Sequence, residues 1–487
     1  MKQAAAIVTA IFAFCGVSSV SAAGKKAPVA ARPAIVVAEG ERFTPSDAKG
    51  WKVTHQEQSY GSHIYGGMWT TFGGLLGAPA DSEGSVARQT ILIPKGGSFR
   101  VWSKYQAPPY FNSENYVSWG YADTFRAIFE SIHDTAAVEE FLVDSTRRPA
   151  RAAIITGKAT DINEDNARVD PKLDPFAARC ANAPAKLPQN ICRKDQQALY
   201  LALRHAQVRV DLITEDDIME GDALRGYDVV YFAGEWINDK AVGKLDAWVK
   251  SGGVLQASSG LGVRNQFDES DTAMLKLLGL AKVDTKKTLY HVRPIIELPL
   301  ARPAGRIKMD SLTIDAIGMI QRITPASAQV LAKWSRGAAA VTVRKYGKGR
   351  AFAVGTLAGL TYLKTGLRVA PASRGGAAHI YNPAGFSTAS WKLARLGLDA
   401  ADIKRQASCD NPHVEALVRD NKAGTLLTLV NWTNEPKATV KVALRLAHEP
   451  KAVKSISRGE TVKFDYRDGI LYAELTIAEA DFVTIRR

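Results

Sequence analysis

Residues 226–257 read GYDVVYFAGEWINDKAVGKLDAWVKSGGVLQA, and this stretch decides the fold. A short apolar run, Tyr227–Phe232, precedes a polar turn and an amphipathic segment from Asp239 to Lys250. The Gly252-Gly253 pair marks the end of that segment, since glycine favours helix C-termini, and a second apolar run, Val254–Ala257, follows. A strand, a helix and a second strand in this order predict a βαβ unit, and therefore a parallel sheet with helices on its faces.

The same alternation of strands and helices extends on both sides of this unit. Strands are predicted at 151–156 and 208–213, with an amphipathic helix between them at Lys194–Ala206. Residues 342–355 have the pattern of a hairpin that returns to the sheet. Together these elements predict a doubly wound α/β domain over residues 150–408.

The segments before and after the α/β region have a different pattern. Residues 35–149 contain short alternating runs such as 89–93 and 98–102, separated by turns rich in glycine and proline, and alternation returns in residues 409–487. Both patterns predict β-sandwiches, the first rich in aromatic residues and the second small. The predicted fold class is therefore multidomain: a β-sandwich, then a doubly wound α/β domain, then a small β-sandwich.

Composition limits the classes of protein and partner. The 487 residues are 46% hydrophobic and 23% charged, which is typical of soluble globular proteins and excludes fibrous or largely disordered chains. The net charge of +14 favours a polyanionic partner. The basic residues are dispersed along the chain and no nucleic-acid-binding signature accompanies them, so we expect no nucleic acid partner.

The N-terminal residues have the pattern of a secretory signal peptide. Lys2 provides a positive start, residues 4–17 are apolar, and residues 20–23 offer a small-residue cleavage site, which predicts a signal peptide over 1–23 and a linker over 24–34. The apolar run is shorter than the roughly 20 residues that a membrane span requires. We therefore expect an exported protein, periplasmic or extracellular, without a membrane span.

Export would place the cysteines in an oxidising compartment, where disulfides form. Cys180 and Cys192 flank a loop rich in proline, alanine and asparagine, and we predict a disulfide between them, whereas Cys409 is expected to be a buried thiol. The 8 histidines show no paired ligand spacing, which predicts no metal site. No complete glycine-rich phosphate-binding fingerprint is present, so no cofactor is expected.

The middle segment resembles a known domain. The resemblance is carried by the motifs at 226–231, 241–255, 340–342, 346–350 and 354–356. They are similar to the glutamine-amidotransferase-like domain that serves as the trimerisation domain of bacterial β-galactosidases. The tail, with 429–432 and 481–483, looks like the small β-sandwich that often follows it. The resemblance implies the fold, a carbohydrate context and homo-oligomerisation.

Two departures limit what this resemblance implies. In those galactosidases a catalytic (β/α)8 barrel of about 250 residues precedes the domain, and residues 35–149 are too few to hold it. In true glutamine amidotransferases a nucleophilic cysteine follows the strand after the glycine turn, and here that segment reads Gln256-Ala257-Ser258-Ser259-Gly260. Neither the galactosidase carboxylates nor the amidotransferase triad is therefore implied for this chain.

Candidate catalytic residues follow the predicted parallel strands, because ligands of open α/β sheets bind beyond the carboxyl ends of the strands. Glu235 is a candidate general acid or base, with Asp161 as the second carboxylate that glycoside cleavage requires. Ser258, or its neighbour Ser259, is a candidate nucleophile. The alternative is an ordinary strand-to-helix turn at Ser258 and a surface ion pair or helix cap at Glu235.

Four aromatic residues of the first segment are candidate carbohydrate contacts. Trp69 lies beside two glycines, Tyr110 and Phe111 lie in a proline-rich loop, and Tyr65 lies among glycine and serine residues. Aromatic rings stack on the apolar faces of sugars, while neighbouring polar groups bind the hydroxyls. About half of the aromatic residues in this segment are needed simply to fill a core.

The sequence thus predicts an exported, carbohydrate-associated protein that acts as a non-catalytic glycan-binding and oligomerisation scaffold. Its expected partners are polysaccharides or oligosaccharides, acidic ones being favoured by the net charge, and further copies of the same chain. The alternative is a glycoside hydrolase or related hydrolase that acts on polysaccharide through the Glu235 and Asp161 carboxylates. A protein-binding module of the cell envelope is the third class.

Overall fold

The computed structural model describes residues 42–46, 50–55, 74–78, 86–92, 115–117, 122–170, 187–294, 297–367, 385–433, 435 and 437–487. The predicted signal peptide and linker lie outside these residues. Contacts divide the chain into two units, Met1–Ala137 with Pro371–His379, and Val138–Ala370 with Ile380–Arg487. Over the described residues, no helix combines the length and the apolar character that a membrane crossing requires.

The described part of the first unit contains short strands and one helix. These are β1 (Thr44–Pro45), β2 (Lys52–His55), β3 (Gly74–Ala78), β4 (Ala87–Arg88), β5 (Asn115–Val117) and α1 (Ala122–Ala137). β1 pairs with β4, and β2, β3 and β5 form an antiparallel sheet in that order. Trp51 and Leu76 are buried together, with Phe43 and Val53 packed against them.

The all-β prediction for residues 35–149 is wrong in its last part, where α1 is a helix of 16 residues. Phe125, Ile128, Phe129 and Ile132 recur at the i, i+3, i+4, i+7 spacing of one helix face. The apolar residues of α1 thus repeat with the period of a helix and not with the twofold alternation of a strand. The chain is a mixed α/β protein with several sheets, and the predicted order of three domains stays a prediction.

The second unit begins with a short helix and a short strand and continues into a large sheet. Its elements up to the sheet's parallel core are α2 (Glu139–Leu142), β6 (Thr146–Arg147), β7 (Ala152–Thr156), α3 (Lys158–Asn166), β8 (Arg168–Val169), β9 (Leu187–Pro188), α4 (Ile191–His205), β10 (Val210–Thr214), α5 (Glu215–Glu220), β11 (Val229–Ala233), α6 (Asp239–Ser251) and β12 (Val254–Ser258). The sheet continues with α7 (Ala273–Leu278), β13 (Leu280–Lys287), β14 (Pro303–Met309), β15 (Leu312–Ile317), β16 (Met319–Pro325), β17 (Gln329–Trp334), β18 (Ala339–Tyr346) and β19 (Gly349–Val354), and the helices α8 (Ala358–Gly366), α9 (Thr388–Ala394) and α10 (Leu396–Ala401) follow.

This sheet has 11 strands and two kinds of pairing. The strands β10, β7, β11, β12 and β19 lie side by side in that order and are parallel. From β19 the sheet continues antiparallel through β18, β17, β14 and β15, and β16 joins β13 to β18. The parallel part is the doubly wound core that the βαβ pattern predicts.

Helices cover both faces of the parallel strands, since successive strand residues point to opposite faces. Ile154 and Tyr231 pack on one face in a core that includes Leu199 and Leu203 of α4. Ile155 and Phe232 lie on the other face, in a core with side chains of α5, α6 and α7. Burial on both faces explains why these strands are continuously apolar.

The last strands of the chain form two antiparallel sheets around one core. They are β20 (Ala407–Cys409), β21 (Val414–Asn421), β22 (Gly424–Asn431), β23 (Ala438–Arg445), β24 (Ala452–Ser455), β25 (Glu460–Thr461), β26 (Phe464–Arg467), β27 (Ile470–Ile477) and β28 (Ala480–Arg486). One sheet has the order β20-β23-β27-β26, and the other has β25-β24-β28-β22-β21-β6. Val440 and Leu427 meet in the shared core. β6, which precedes the large sheet in the chain, is therefore an edge strand here, and Arg148 beside it binds Asp420 with Nε–Oδ2 of 2.6 Å.

Candidate functional site

The carboxyl ends of β7, β11 and β12 lie at one edge of the parallel sheet. Ala233, the last residue of β11, is in register with Ser258, the last residue of β12. The amide of Gly234 donates to the Ser258 carbonyl at 3.3 Å, so the loop that carries Glu235 begins directly beside Ser258. Asp161 lies in the first turn of α3, which follows β7. The sheet thus places all three predicted residues after neighbouring strands.

The turn after β12 has a left-handed backbone. The φ angle is 58° at Ser259, 127° at Gly260, 60° at Leu261 and 60° at Gly262. Residues other than glycine adopt this region rarely and at some cost in energy. A sharp turn of this kind at the end of a central strand is where α/β hydrolases hold their nucleophile. Ser259, rather than the predicted Ser258, occupies that left-handed position.

A buried carboxylate that the sequence analysis does not single out holds this turn. Asp195 of α4 accepts hydrogen bonds from the Ser259 hydroxyl at 2.5 Å and from the Leu360 amide at 2.7 Å. The Ser258 hydroxyl lies 3.5 Å from the same carboxylate oxygen as Ser259. Asp195, Ser258 and Ser259 are all buried, and burial raises the pKa of Asp195 to about 7. The two serines are therefore packed inside the protein against an acid that titrates near neutrality.

Glu235 lies between two cationic side chains. The Lys287 ammonium, at the end of β13, pairs with Oε2 of Glu235, and Arg264 Nε lies 3.6 Å from Oε1. Lys287 also donates to Gln189 Oε1 at 3.1 Å, and its Nζ lies 5.5 Å from the centroid of a Trp236 ring. The Lys287 and Glu235 side chains are 12% and 13% exposed. The pair is thus largely desolvated, and the Glu235 carboxylate already has its counter-charges within the protein.

Asp161 belongs to a separate group of ion pairs. Its Oδ1 lies 3.9 Å from Arg193 Nε, and the same guanidinium pairs with Glu164 at 3.5 Å and with Asp165. Burial raises the pKa of Asp161 above its usual range, although the side chain remains 48% exposed. The predicted carboxylates Asp161 and Glu235 therefore have different ion partners.

The predicted Cys180–Cys192 disulfide is wrong, because Cys192 is a free thiol. Cys192 lies in the first turn of α4, and its Sγ donates to the Ser259 carbonyl at 3.3 Å in the protein interior. The Glu164 carboxylate accepts from the Cys192 amide at 2.7 Å and so caps the helix. Burial raises the pKa of the Cys192 thiol. Cys180 lies outside the described residues.

Other predicted site residues are not among those described. The four candidate carbohydrate contacts, Trp69, Tyr110, Phe111 and Tyr65, lie outside the described residues and stay predictions. Trp51, from the same aromatic-rich segment, is buried. Within the ranges that the structure describes, no group of three or more histidine, cysteine, aspartate or glutamate side chains is placed to hold a metal ion.

Comparison with known proteins identifies one family for part of the chain. Residues 176–369 match the family described as the beta-galactosidase trimerisation domain. No curated protein matches the chain. The matched residues include Ser259, Asp195 and Glu235, whereas β7 and α3, which carries Asp161, precede them.

Solved structures of glycosidases are similar to this chain over part of their length. A catalytic mutant of a GH42 β-galactosidase from G. stearothermophilus has a TM-score of 0.50 and 15% identity, over 74% of this chain and 44% of that one. The β-galactosidase from Bacillus circulans sp. alkalophilus has a TM-score of 0.47 and 15% identity, over 74% and 45%. The α-L-fucosidase isoenzyme 2 from Paenibacillus thiaminolyticus has a TM-score of 0.47 and 13% identity, over 75% and 52%. This chain spans about half of the length of these enzymes or less. Residues 176–369 of this chain thus resemble the trimerisation domain of β-galactosidases.

Proposed function

We propose that this chain is an exported, carbohydrate-associated scaffold that binds glycan and self-associates without cleaving its ligand. The contacts beyond the carboxyl ends of β11 and β12 carry the proposal: Ser259 and Asp195 are buried and hydrogen-bonded to each other, and Glu235 is paired with Lys287 and Arg264. A nucleophile must reach its substrate and a general acid must exchange a proton with it, whereas these groups are engaged within the protein. The likeness of residues 176–369 to a trimerisation domain supports self-association.

Self-association is tested by light scattering on the chain without residues 1–23. We expect a mass that is a multiple of the protomer mass and that persists on dilution through the micromolar range. A monomer at every concentration would contradict the assembly part of the proposal.

Export is tested by expressing the full chain and looking for secretion. We expect residues 1–23 to be removed, which N-terminal sequencing of the secreted protein would show.

Glycan binding and cleavage are tested in one incubation with a panel of neutral and acidic polysaccharides. We expect the protein to be retained in the insoluble fraction while the soluble fraction gains no reducing ends. The net charge of +14 adds a long-range attraction to acidic chains, so their retention is expected to fall steeply with salt. Absence of retention on every polysaccharide would contradict the proposal.

A hydrolase is the second candidate function. Ser259 at a left-handed turn, hydrogen-bonded to a carboxylate whose pKa is raised to about 7, has the residue type and backbone position of an activated nucleophile. Glu235 and Asp161 are the carboxylates that a glycoside hydrolase of this kind would use. New reducing ends in the panel experiment would favour this candidate over the scaffold.

The substitution Glu235→Gln separates the two functions. It removes the counter-charge of the largely buried Lys287, so we expect the free energy of unfolding to fall by about 2–3 kcal/mol, with no turnover to lose. The matched control is Asp161→Asn, because Asp161 is 48% exposed and its loss is expected to change stability little. Loss of a measured turnover in Glu235→Gln with an unchanged melting temperature would instead support the hydrolase.

A further inference from the structure

Trp432 is a fixed and exposed aromatic side chain at the end of β22. The residue is 53% exposed to solvent. The indole Nε1 donates to Glu415 Oε2 at 3.0 Å, and the Trp432 amide donates to the His413 carbonyl at 2.9 Å. The side chain is therefore held in one orientation while a large apolar surface faces water.

Glu415 is itself held by a cation from the α/β region. Arg204 Nε donates to Glu415 Oε1 at 2.8 Å, and Nη2 binds the same oxygen. Arg204 Nη1 donates to the Val208 carbonyl at 2.7 Å. The Arg204 and Glu415 side chains are 10% and 22% exposed. The polar support of Trp432 is thus rigid, and its two charges cancel each other.

A second exposed aromatic side chain lies on the helix that carries Arg204. Tyr200, an exposed residue, lies one turn before Arg204 on the same face of α4. Leu417, also exposed, lies two residues after Glu415 on β21, and therefore on the same face of that strand. Trp432 is thus bonded to the partly buried Arg204–Glu415 pair, Tyr200 lies one turn from Arg204, and Leu417 lies on the same strand face as Glu415.

These features match the chemistry of a sugar ring. The carbon-bound hydrogens of a pyranose stack on an aromatic face, and its hydroxyl groups bond to neighbouring polar atoms. A preoriented ring lowers the entropy that binding costs, because the side chain is already ordered. The one cation of the group, Arg204, is already paired, so an acidic sugar gains no free counter-charge here.

We infer that Trp432, Tyr200, Arg204 and Glu415, together called the Trp432 platform, form a binding subsite for a neutral pyranose ring of a glycan chain. The inference rests on the proposed glycan-binding function and names the substrate class and place of one subsite. The ring of Trp432 stacks on the sugar, and the edge of the Arg204–Glu415 pair positions its hydroxyls. Binding at this subsite depends on ring contact rather than on net charge, so it varies little with salt.

The test compares the wild type with Trp432→Ala, Trp432→Phe and the control Phe267→Ala by calorimetric titration with neutral hexose oligosaccharides and with uronate oligosaccharides. Phe267 is a matched control because it is an aromatic residue that is 73% exposed in a different loop. We expect Trp432→Ala to weaken binding of a neutral oligosaccharide by about tenfold or more, Trp432→Phe to weaken it less, and Phe267→Ala to leave it unchanged. Dissociation constants at about 50 mM and about 500 mM salt are expected to agree within about twofold.

Each other outcome has a definite meaning. If the wild type binds glycan and Trp432→Ala binds it equally well, the platform is overturned while the proposed function stands. Binding only of uronate chains, with a steep salt dependence, likewise overturns the platform alone. If the wild type binds no oligosaccharide of either class and no polysaccharide of the panel, both the platform and the proposed function fail.

Oligomeric mass and melting temperature are measured for the same variants. A changed oligomeric mass in Trp432→Ala, with unchanged glycan binding, would show that the surface is a protein interface and would overturn the platform. Melting temperatures of both Trp432 variants show whether they fold.

Discussion

Asparagine in place of Asp195 is expected to make the protein more stable than the wild type at about pH 8, and this advantage is expected to disappear near pH 4. Asp195 is completely buried, and its pKa is raised from 3.8 to about 7, with burial as the largest cause. Below the unfolded-state pKa both states bind the proton. As the pH rises from about 4 to about 7, the unfolded chain loses that proton first, so stability falls. Above the folded-state pKa both states have lost the proton, and stability falls no further.

The size of this effect follows from the size of the shift. One pKa unit corresponds to about 1.4 kcal/mol, so Asp195 lowers the free energy of unfolding by up to roughly 4 kcal/mol between about pH 4 and about pH 8. The asparagine side chain of the variant does not ionise, and its amide group can both accept from the Leu360 amide and donate to Ser259. The stability difference between variant and wild type should therefore grow with pH over this interval.

Chemical denaturation at several pH values measures this difference directly. The variant Asp161→Asn is the matched control, because the Asp161 carboxylate is 48% exposed and only partly desolvated, so a smaller dependence on pH is expected for it. A difference between Asp195→Asn and the wild type that does not depend on pH would show that the pKa of Asp195 is the same in the folded and unfolded states. The same result would remove the support that the Asp195–Ser259 pair gives to the hydrolase candidate.

Alanine in place of Gly260 is expected to destabilise the protein by about 3 kcal/mol or more. Gly260 has a φ of 127°, and a Cβ atom there would lie 2.6 Å from Glu235 Cα and 2.8 Å from Glu235 N. Both of these atoms belong to the backbone, so a side-chain rotation cannot relieve the contact. The loop that carries Glu235 must shift, and the Glu235–Lys287 pair must loosen with it.

Gly337→Ala separates the cost of backbone conformation from the cost of this contact. Gly337 has a φ of 94°, and a Cβ atom there would have nothing within 4 Å. Its substitution is expected to cost only about 1 kcal/mol, the usual penalty for placing an L-residue in that region. Equal effects of the two substitutions on the unfolding midpoint would mean that the Gly260 turn has room to adapt. The expected result is a clearly larger loss at Gly260.

The parallel core of the large sheet could be predicted because its signals are local. The apolar run at Tyr227–Phe232 appears as β11 at Val229–Ala233, and the segment Asp239–Lys250 appears as α6 at Asp239–Ser251. Helix α1 escapes the prediction because the turn-rich sequence before it suggests strands, although the spacing of Phe125, Ile128 and Ile132 indicates a helix. Periodicity counted over every window would find it.

The candidate site could be predicted only in part, for a physical reason. The rule that ligands bind beyond the carboxyl ends of parallel strands depends on local order, so it points to Glu235 and Ser258. Lys287 and Arg264 are brought to Glu235 by tertiary contacts. The sequence around each of them does not indicate that it forms an ion pair with Glu235. Asp195 does have a local signal, because it is a charged residue on the apolar face of an amphipathic helix.

The pairing of β6 with β21 imposes an order on the folding of the nascent chain. Arg148 and its partner Asp420 are 272 positions apart in the sequence. At a synthesis rate of about 5–20 residues per second, the first of them leaves the ribosome roughly 15–55 seconds before the second. During that delay the edge formed by residues 146–148 has no partner strand, while the strands of the large sheet are being made. We expect co-translational folding to proceed around an unfinished edge, and a chain stopped before residue 414 to remain a substrate for chaperones.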